Sequence, residues 1–339
     1  MKPARLVVVF AALLPALAGA QAIEKRDVKF SLGWVFVASQ AMLTYGAEKG
    51  YFKAEGLNVT VDSGAGSGAS IQRVANGSYD MALTDVGSLA KHNAENPGKR
   101  LMAVYVVEDE SPLALFALQG KGIAKPKDIE GRKIAGSHFD GARQVFPALA
   151  KANDIDPRKL TWQIVDPQLR EAMLVRGEVD VITGFTTTSV LLLQSLNQKF
   201  VTLRYDDFGV LGYGNSVIAT PEFLQRNPNT VRAFVRALNR AMKGMIANPD
   251  EAVASLRKRD PVVDLALERR RLDLMVTQLI LTPNVVKNGL STPDPQRLEK
   301  AVDNIVQSLA GQPALSASQV YSAAFLPPAA ERVAPAYRR

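Results

Sequence analysis

No cysteine occurs among the 339 residues. A disulfide framework, a Cys-based zinc site, an iron–sulfur cluster and a thiol nucleophile are thereby excluded. Histidine is nearly as scarce. His92 and His138 lie far apart and neither sits in an HExxH-type pattern, so the sequence predicts no metal site. There is no long basic run either. The formal net charge is +8, but Lys and Arg are scattered among acids with no interleaved aromatic stripe, which argues against a nucleic-acid partner. The densest cluster, Arg269-Arg270-Arg271, follows Glu268 and precedes Asp273 and reads as a solvated helix face. Neither Ser67 nor Ser137 stands in a GxSxG elbow, so acyl-transfer chemistry has no nucleophile signal. Beyond the N-terminus no segment is apolar over the roughly 20 residues that a membrane-spanning helix needs.

What is present begins with an export signal. Lys2 and Arg5 form a basic start, an apolar run of about 12 residues follows, and the small residues around Ala20 and Ala22 offer two cleavage sites. Residues 1–22 therefore read as a signal peptide, and the product is expected in the periplasm, cleaved near Ala20 or Ala22. Losing Lys2 and Arg5 takes the charge from +8 to +6. The length suits two lobes at roughly 150 residues each. From Val28 onward, short β-branched runs alternate with helical stretches, the pattern of parallel sheets with crossover helices. After Ala219 the chain is mostly amphipathic helix, and residues 327–339, rich in Pro and Ala, are expected to fray.

The most informative stretch is residues 57–85. Residues 57–62 read as a strand, residues 63–68 as a tight turn with three glycines, and residues 69–76 as a short helix. Backbone N–H groups at such a helix start form a site for an anion or polar head. The string from Gly64 to Ala69 also fits the dinucleotide fingerprint, with Asp85 about 20 residues further on. Against an oxidoreductase stand the short helix, the motif's place after the second strand, and export away from an NAD pool. A weak internal echo relates the Gly77–Asp80 and Gly177–Asp180 turns, each a helix stop at Gly followed by Asp at a strand start. Two such lobes would each place strand-end loops at a shared crevice.

With these residues in place, the chain resembles the periplasmic substrate-binding proteins of ABC importers, within the nitrate/sulfonate/taurine and thiamine-precursor branch. The carrying residues are Gly33-Trp34, the EKGYF…EGL run of residues 48–57, residues 66–72, the two Gly–Asp turns, and Ala324-Phe325-Leu326-Pro327. The resemblance implies an α/β, two-lobed periplasmic-binding-protein fold of type II. Each lobe would be a mixed sheet flanked by helices, with the ligand cleft between them. Lobe 1 would take residues 23–116, lobe 2 residues 117–212, and lobe 1 would resume over residues 213–326, the crossings falling near residues 115–120 and 210–215. The implied function is a monomeric, non-catalytic solute receptor that needs no cofactor and delivers a sulfonate, carboxylate or heterocycle to ABC permease subunits. Carried over residue by residue, the ligand positions are Trp34 and Gln40, where many relatives have His. Gly66, Ser67, Gly68 and Ala69 follow in the glycine turn, then Thr84 and Asp85. In the second lobe come His138, Phe139, Arg143 and Phe185, and at the return crossing Tyr213 and Asn215. The enzyme alternatives are the oxidoreductase and a thiamine-pyrimidine-type synthase. The latter draws on a His and Cys cluster that this chain lacks.

Overall fold

A computed structural model describes residues 22–338. The expected signal peptide, apart from Ala22, lies outside the described residues. The chain opens with β1 (Asp27–Ser31), a 3₁₀ turn over Ala38–Gln40, α1 (Ala41–Glu48) and α2 (Tyr51–Ala54). Next come β2 (Asn58–Asp62), α3 (Ser67–Ala75), β3 (Met81–Asp85), α4 (Val86–Glu95) and β4 (Met102–Val106). The second set is β5 (Leu113–Leu118), β6 (Lys133–Gly136), α5 (Gly141–Ala152), β7 (Thr161–Ile164), α6 (Arg170–Val175), β8 (Val181–Phe185), α7 (Thr186–Ser195) and β9 (Phe200–Arg204). The chain returns as β10 (Asn215–Ala219) and ends in α8 (Pro221–Arg226), α9 (Pro228–Ala247), α10 (Pro249–Ala254), α11 (Leu265–Met275), α12 (Pro283–Asn288) and α13 (Pro295–Gln307).

These strands form two five-stranded sheets, ordered β2-β1-β3-β10-β4 and β7-β6-β8-β5-β9. The first three strands of each run parallel, and the fourth, β10 or β5, is inserted antiparallel. Each inserted strand is thus the one that has just crossed from the other lobe. The two-lobed α/β reading agrees with this topology, but the first crossing precedes the expected one. β5 already pairs with β8 and β9, so the switch falls between Val106 and Leu113. The reason is that a strand buried over nearly its whole length reads the same in either sheet.

The Gly–Asp echo has a structural cause. Asp80 donates its N–H to the Lys29 carbonyl at 3.0 Å and accepts the Lys29 N–H on its carboxylate at 2.9 Å. Asp180 does the same with Lys133, at 2.9 Å for both bonds. In each lobe the aspartate pins the start of one parallel strand to its neighbour.

The apolar face of α9 packs on the first sheet, with Phe234 5.2 Å from both Phe30 and Phe52 between ring centroids. A second core runs across both lobes. It joins Val86 and Leu89 of α4 to Ala142, Val145 and Leu149 of α5, and to Leu298, Val302 and Ile305 of α13. The lobes are therefore apposed. The C-terminal segment docks, and within it residues 327–338, where fraying was expected, are held through Arg332 and Tyr337. Residues 320–322 bond to Ala103 along β4, covering that edge of the sheet. Arg332 donates to the Leu290 carbonyl at 2.9 Å, and Tyr337 lies within hydrogen-bond reach of Asp273 and Arg269.

Candidate functional site

The carboxyl ends of β1, β2 and β3 face those of β6 and β8 across the crevice. The loops leaving them are laced together before any ligand is considered. Gly64 N–H donates to the Trp34 carbonyl at 2.8 Å, and Gly66 N–H to the Gly33 carbonyl at 2.9 Å. Gly66 has φ +114°, and a β-carbon there would stand 2.5 Å from the Phe139 carbonyl oxygen of the other lobe. Only glycine lets the two loops approach this closely.

Between them is a small cavity of about 40 Å³. Lobe 1 and the return crossing contribute Gly33, Trp34, Ser39, Gln40, Gly66, Ser67 and Asn215. Lobe 2 contributes Ser137, Asp140, Gly141, Arg170, Phe185, Thr187 and Thr188. The N-termini of α3, α5 and α7 converge there, one from the first lobe and two from the second. Among the described residues, the first-turn N–H groups of Ser67 and Gly141 find no acceptor in the loops that lead into their helices or on any side chain. These are the donors that a helix leaves free in its first turn, and they carry the positive end of the helix dipole. The buried Ser137 hydroxyl is likewise without a partner.

Arg170 adds a cation. Its Nε donates to the Pro167 carbonyl at 3.1 Å, and its Nη1 to the Thr183 carbonyl at 2.7 Å and to Asp140. Asp140 in turn caps α5 through Ala142 N–H at 2.9 Å and accepts the Thr183 hydroxyl at 2.6 Å. The guanidinium is thus fixed on one side. Its Nη2 makes no hydrogen bond among the described residues and stands 4.0 Å from a Glu171 carboxylate oxygen.

Behind this wall lie two carboxyl groups. Asp85 caps α4 through Ser88 N–H at 2.7 Å, while its Oδ2 is buried without a partner. Burial, with the Asp140 charge in support, pushes its pKa up. Glu108 accepts the Asn215 N–H and side-chain amide, each at 3.0 Å. Burial raises it to about 7, more than the two hydrogen bonds lower it.

Of the residues singled out from the sequence, Trp34, Gln40, Gly66, Ser67, Phe185 and Asn215 line the cavity. Gln40 is turned to the protein, accepting Gly33 N–H at 3.3 Å and donating to the Ser39 carbonyl. Gly68 and Ala69 sit beside the cavity, but their N–H groups go to the Phe139 and Gly66 carbonyls. Thr84 and Asp85 stand behind it. His138, Phe139 and Arg143 line a separate outer groove, with Arg143 over the Trp162 ring at 5.4 Å. Tyr213 belongs to the return crossing, where Arg297 lies 4.7 Å above its ring.

Sequence reasoning did not single out Ser39, Arg170, Thr187 or Thr188. Arg170 carries a signal in retrospect: an arginine opening a helix faces the dipole unfavourably, which calls for another reason to be there. The Thr186-Thr187-Thr188 run at the end of β8 is the other.

Known proteins can now be set beside this geometry. The chain is 23% identical to the 4-amino-5-hydroxymethyl-2-methylpyrimidine phosphate synthase of Legionella pneumophila, over 70% of this chain and 75% of that protein. It is 26% identical to the riboflavin-binding protein RibY of Chloroflexus aurantiacus, over 61% of this chain and 58% of that protein. Among solved structures, the alkanesulfonate-binding protein SsuA of Xanthomonas axonopodis pv. citri bound to MOPS superposes with a TM-score of 0.64 at 15% identity, covering 89% of this chain and 100% of that one. The fold is that of the periplasmic binding proteins. Residues 38–252 match the family model described as NMT1/THI5 like, and the chain belongs to that family.

Proposed function

We propose that this protein is a non-catalytic receptor that captures a small organic solute, exported to the periplasm and serving an ABC permease. The carrying observation is the convergence of three helix N-termini and the free edge of Arg170 on one cavity between two lobes. Fixed N–H donors and a held guanidinium suit a solute with an anionic or strongly accepting head, a carboxylate or sulfonate. Trp34 and Phe185 supply flat apolar walls for the remainder. The cavity lining contains no histidine, and the chain has no cysteine. The synthase named among the relatives is matched at 23% identity, and no general base with a partnered nucleophile stands in this cavity to support turnover.

Binding in such a receptor selects a closed state by as much as the extra contacts in that state allow. The test is a thermal-shift panel of sulfonates, carboxylates and small heterocycles on the mature protein, with NAD and a turnover assay as further arms. At least one solute should raise the midpoint, and Ser67→Trp, which fills the cavity from the α3 side, should abolish that gain. Retained binding by a folded Ser67→Trp protein would remove the glycine turn from the site, and turnover of any panel member would replace the receptor with an enzyme.

A further inference from the structure

The three consecutive arginines of α11 do three different things. Arg269 turns to its own lobe, donating to Asp250 at 2.8 Å and pairing with Asp273. Arg270 reaches the other lobe at the surface, its Nη2 donating to Gln194 Oε1 of α7 at 2.7 Å. Arg271 is 3% exposed, pairs with Glu268, itself 4% exposed, and also reaches the other lobe. Its Nε donates to both Glu268 oxygens, at 3.1 and 3.0 Å. Its Nη1 donates to the Thr187 carbonyl in the first turn of α7. Glu268 Oε2, on the far side, accepts Ala38 N–H at 2.5 Å.

The chain of bonds therefore runs from the lobe-1 loop to the lobe-2 helix start. Both ends are cavity wall, since Ser39 and Gln40 follow Ala38, and Thr187 lines the opposite side. We propose that the Glu268–Arg271 pair is a closure latch, a bond made only at the closed separation of the two cavity walls that weights the lobe equilibrium toward closure before any solute binds. Two physical points give it this character. A guanidinium donating to a carbonyl in a dry setting makes a charge-assisted bond, stronger than a neutral one. When the lobes part, the pair itself loses only that bond; Arg271 stays neutralised by Glu268, so opening strands no unpaired charge here. Such a device sets the fraction of molecules that are closed before binding, and apparent affinity scales with that fraction.

Because the proposal concerns movement and not the solute, its test needs no ligand and its outcome is independent of the receptor assignment. The cysteine-free chain permits two unique labels, at Ser78→Cys in lobe 1 and Lys121→Cys in lobe 2, both exposed. Spin-label distances between them report lobe separation in the ligand-free protein. Arg271→Met removes the lobe-2 bond. Glu268→Gln/Arg271→Met removes both charges while keeping an acceptor for Ala38 N–H and a filled core, and so guards against misfolding from a stranded buried carboxylate. Each variant is first matched to the parent by circular dichroism. The latch predicts a second distance population, increased on the order of tenfold over the parent in both variants, as expected for losing a charge-assisted bond. Arg271→Lys, which keeps charge but cannot serve both partners, should fall between. A folded double variant with the parent's distance distribution overturns the proposal.

Discussion

At the scale of single residues, the site rests on groups that are buried but not fully partnered. Asp85 Oδ2 and the Ser137 hydroxyl are two of them. Glu108, by contrast, is buried with both oxygens bonded to Asn215, and Gly214 has no β-carbon to keep its carboxylate away; one placed there would stand 2.1 Å from Oε2. Its pKa is raised by burial from 4.5 to about 7. A raised carboxyl pKa means that the folded state binds the proton more tightly than the unfolded chain. Glu108 thus favours folding below about 4.5, and that contribution is lost as pH climbs toward 7, an effect of about 3 kcal/mol. Glu108→Gln should flatten this part of the stability–pH curve, measured by urea unfolding between those values. A slope as steep as the parent's would mean that the carboxyl is not the group responsible. Asp206, also raised to about 7 by burial, should keep its own share of the slope. Arg170 belongs to this scale as well. Nothing in residue type distinguishes it from the other arginines of the chain, and only the packing of Asp140 and Thr183 against it turns it toward the cavity.

At the scale of elements, helix starts carry both stability and function. α4, α5 and α13 are capped by Asp85, Asp140 and Asp294, and α11 by Asp264, which accepts from Ala266 and Leu267 N–H, each at 3.0 Å. The starts of α3 and α7 have no side-chain cap, and both open on the cavity. A helix without its own cap leaves donors for something else. Asp264→Ala should cost about 1 kcal/mol of stability by chemical denaturation, the usual worth of such a cap. Because α11 carries the Glu268–Arg271 pair, fraying its first turn should also broaden the inter-lobe distances described above. The sequence announced the ends of α3 and α6 through Gly77 and Gly177. It did not announce that α11 passes into a π turn, Val276–Ile280, whose Leu279 carbonyl accepts both Asp109 and Glu110 N–H at the first crossing. A single wide turn is set by what it must reach, and local propensity does not encode that.

At the scale of the molecule, closure joins the lobes through the Gly68–Phe139 bond, the α4–α5–α13 core and α11. A solute that selects this state should draw in the scattering envelope. For the 317 described residues, the compact radius of gyration is about 20 Å. Small-angle scattering should move toward that value when a stabilising solute from the panel is added. A radius unchanged by a solute that raises the melting midpoint would argue against hinge motion.

The two sheets, their repeated Gly–Asp turns and the glycine loop were legible in the sequence because each depends on local periodicity or backbone permission, whereas Trp34 and Asn215 came from the family resemblance. The absence of thiol chemistry was legible as well, because the lack of cysteine alone decides it. Which sheet takes β5, which N–H groups remain free, and which arginine meets the cavity were settled only by tertiary structure. The physical reason is that a buried strand, a helix-start donor and a guanidinium each have many possible partners, and the partner is chosen by what the rest of the chain brings within 3 Å.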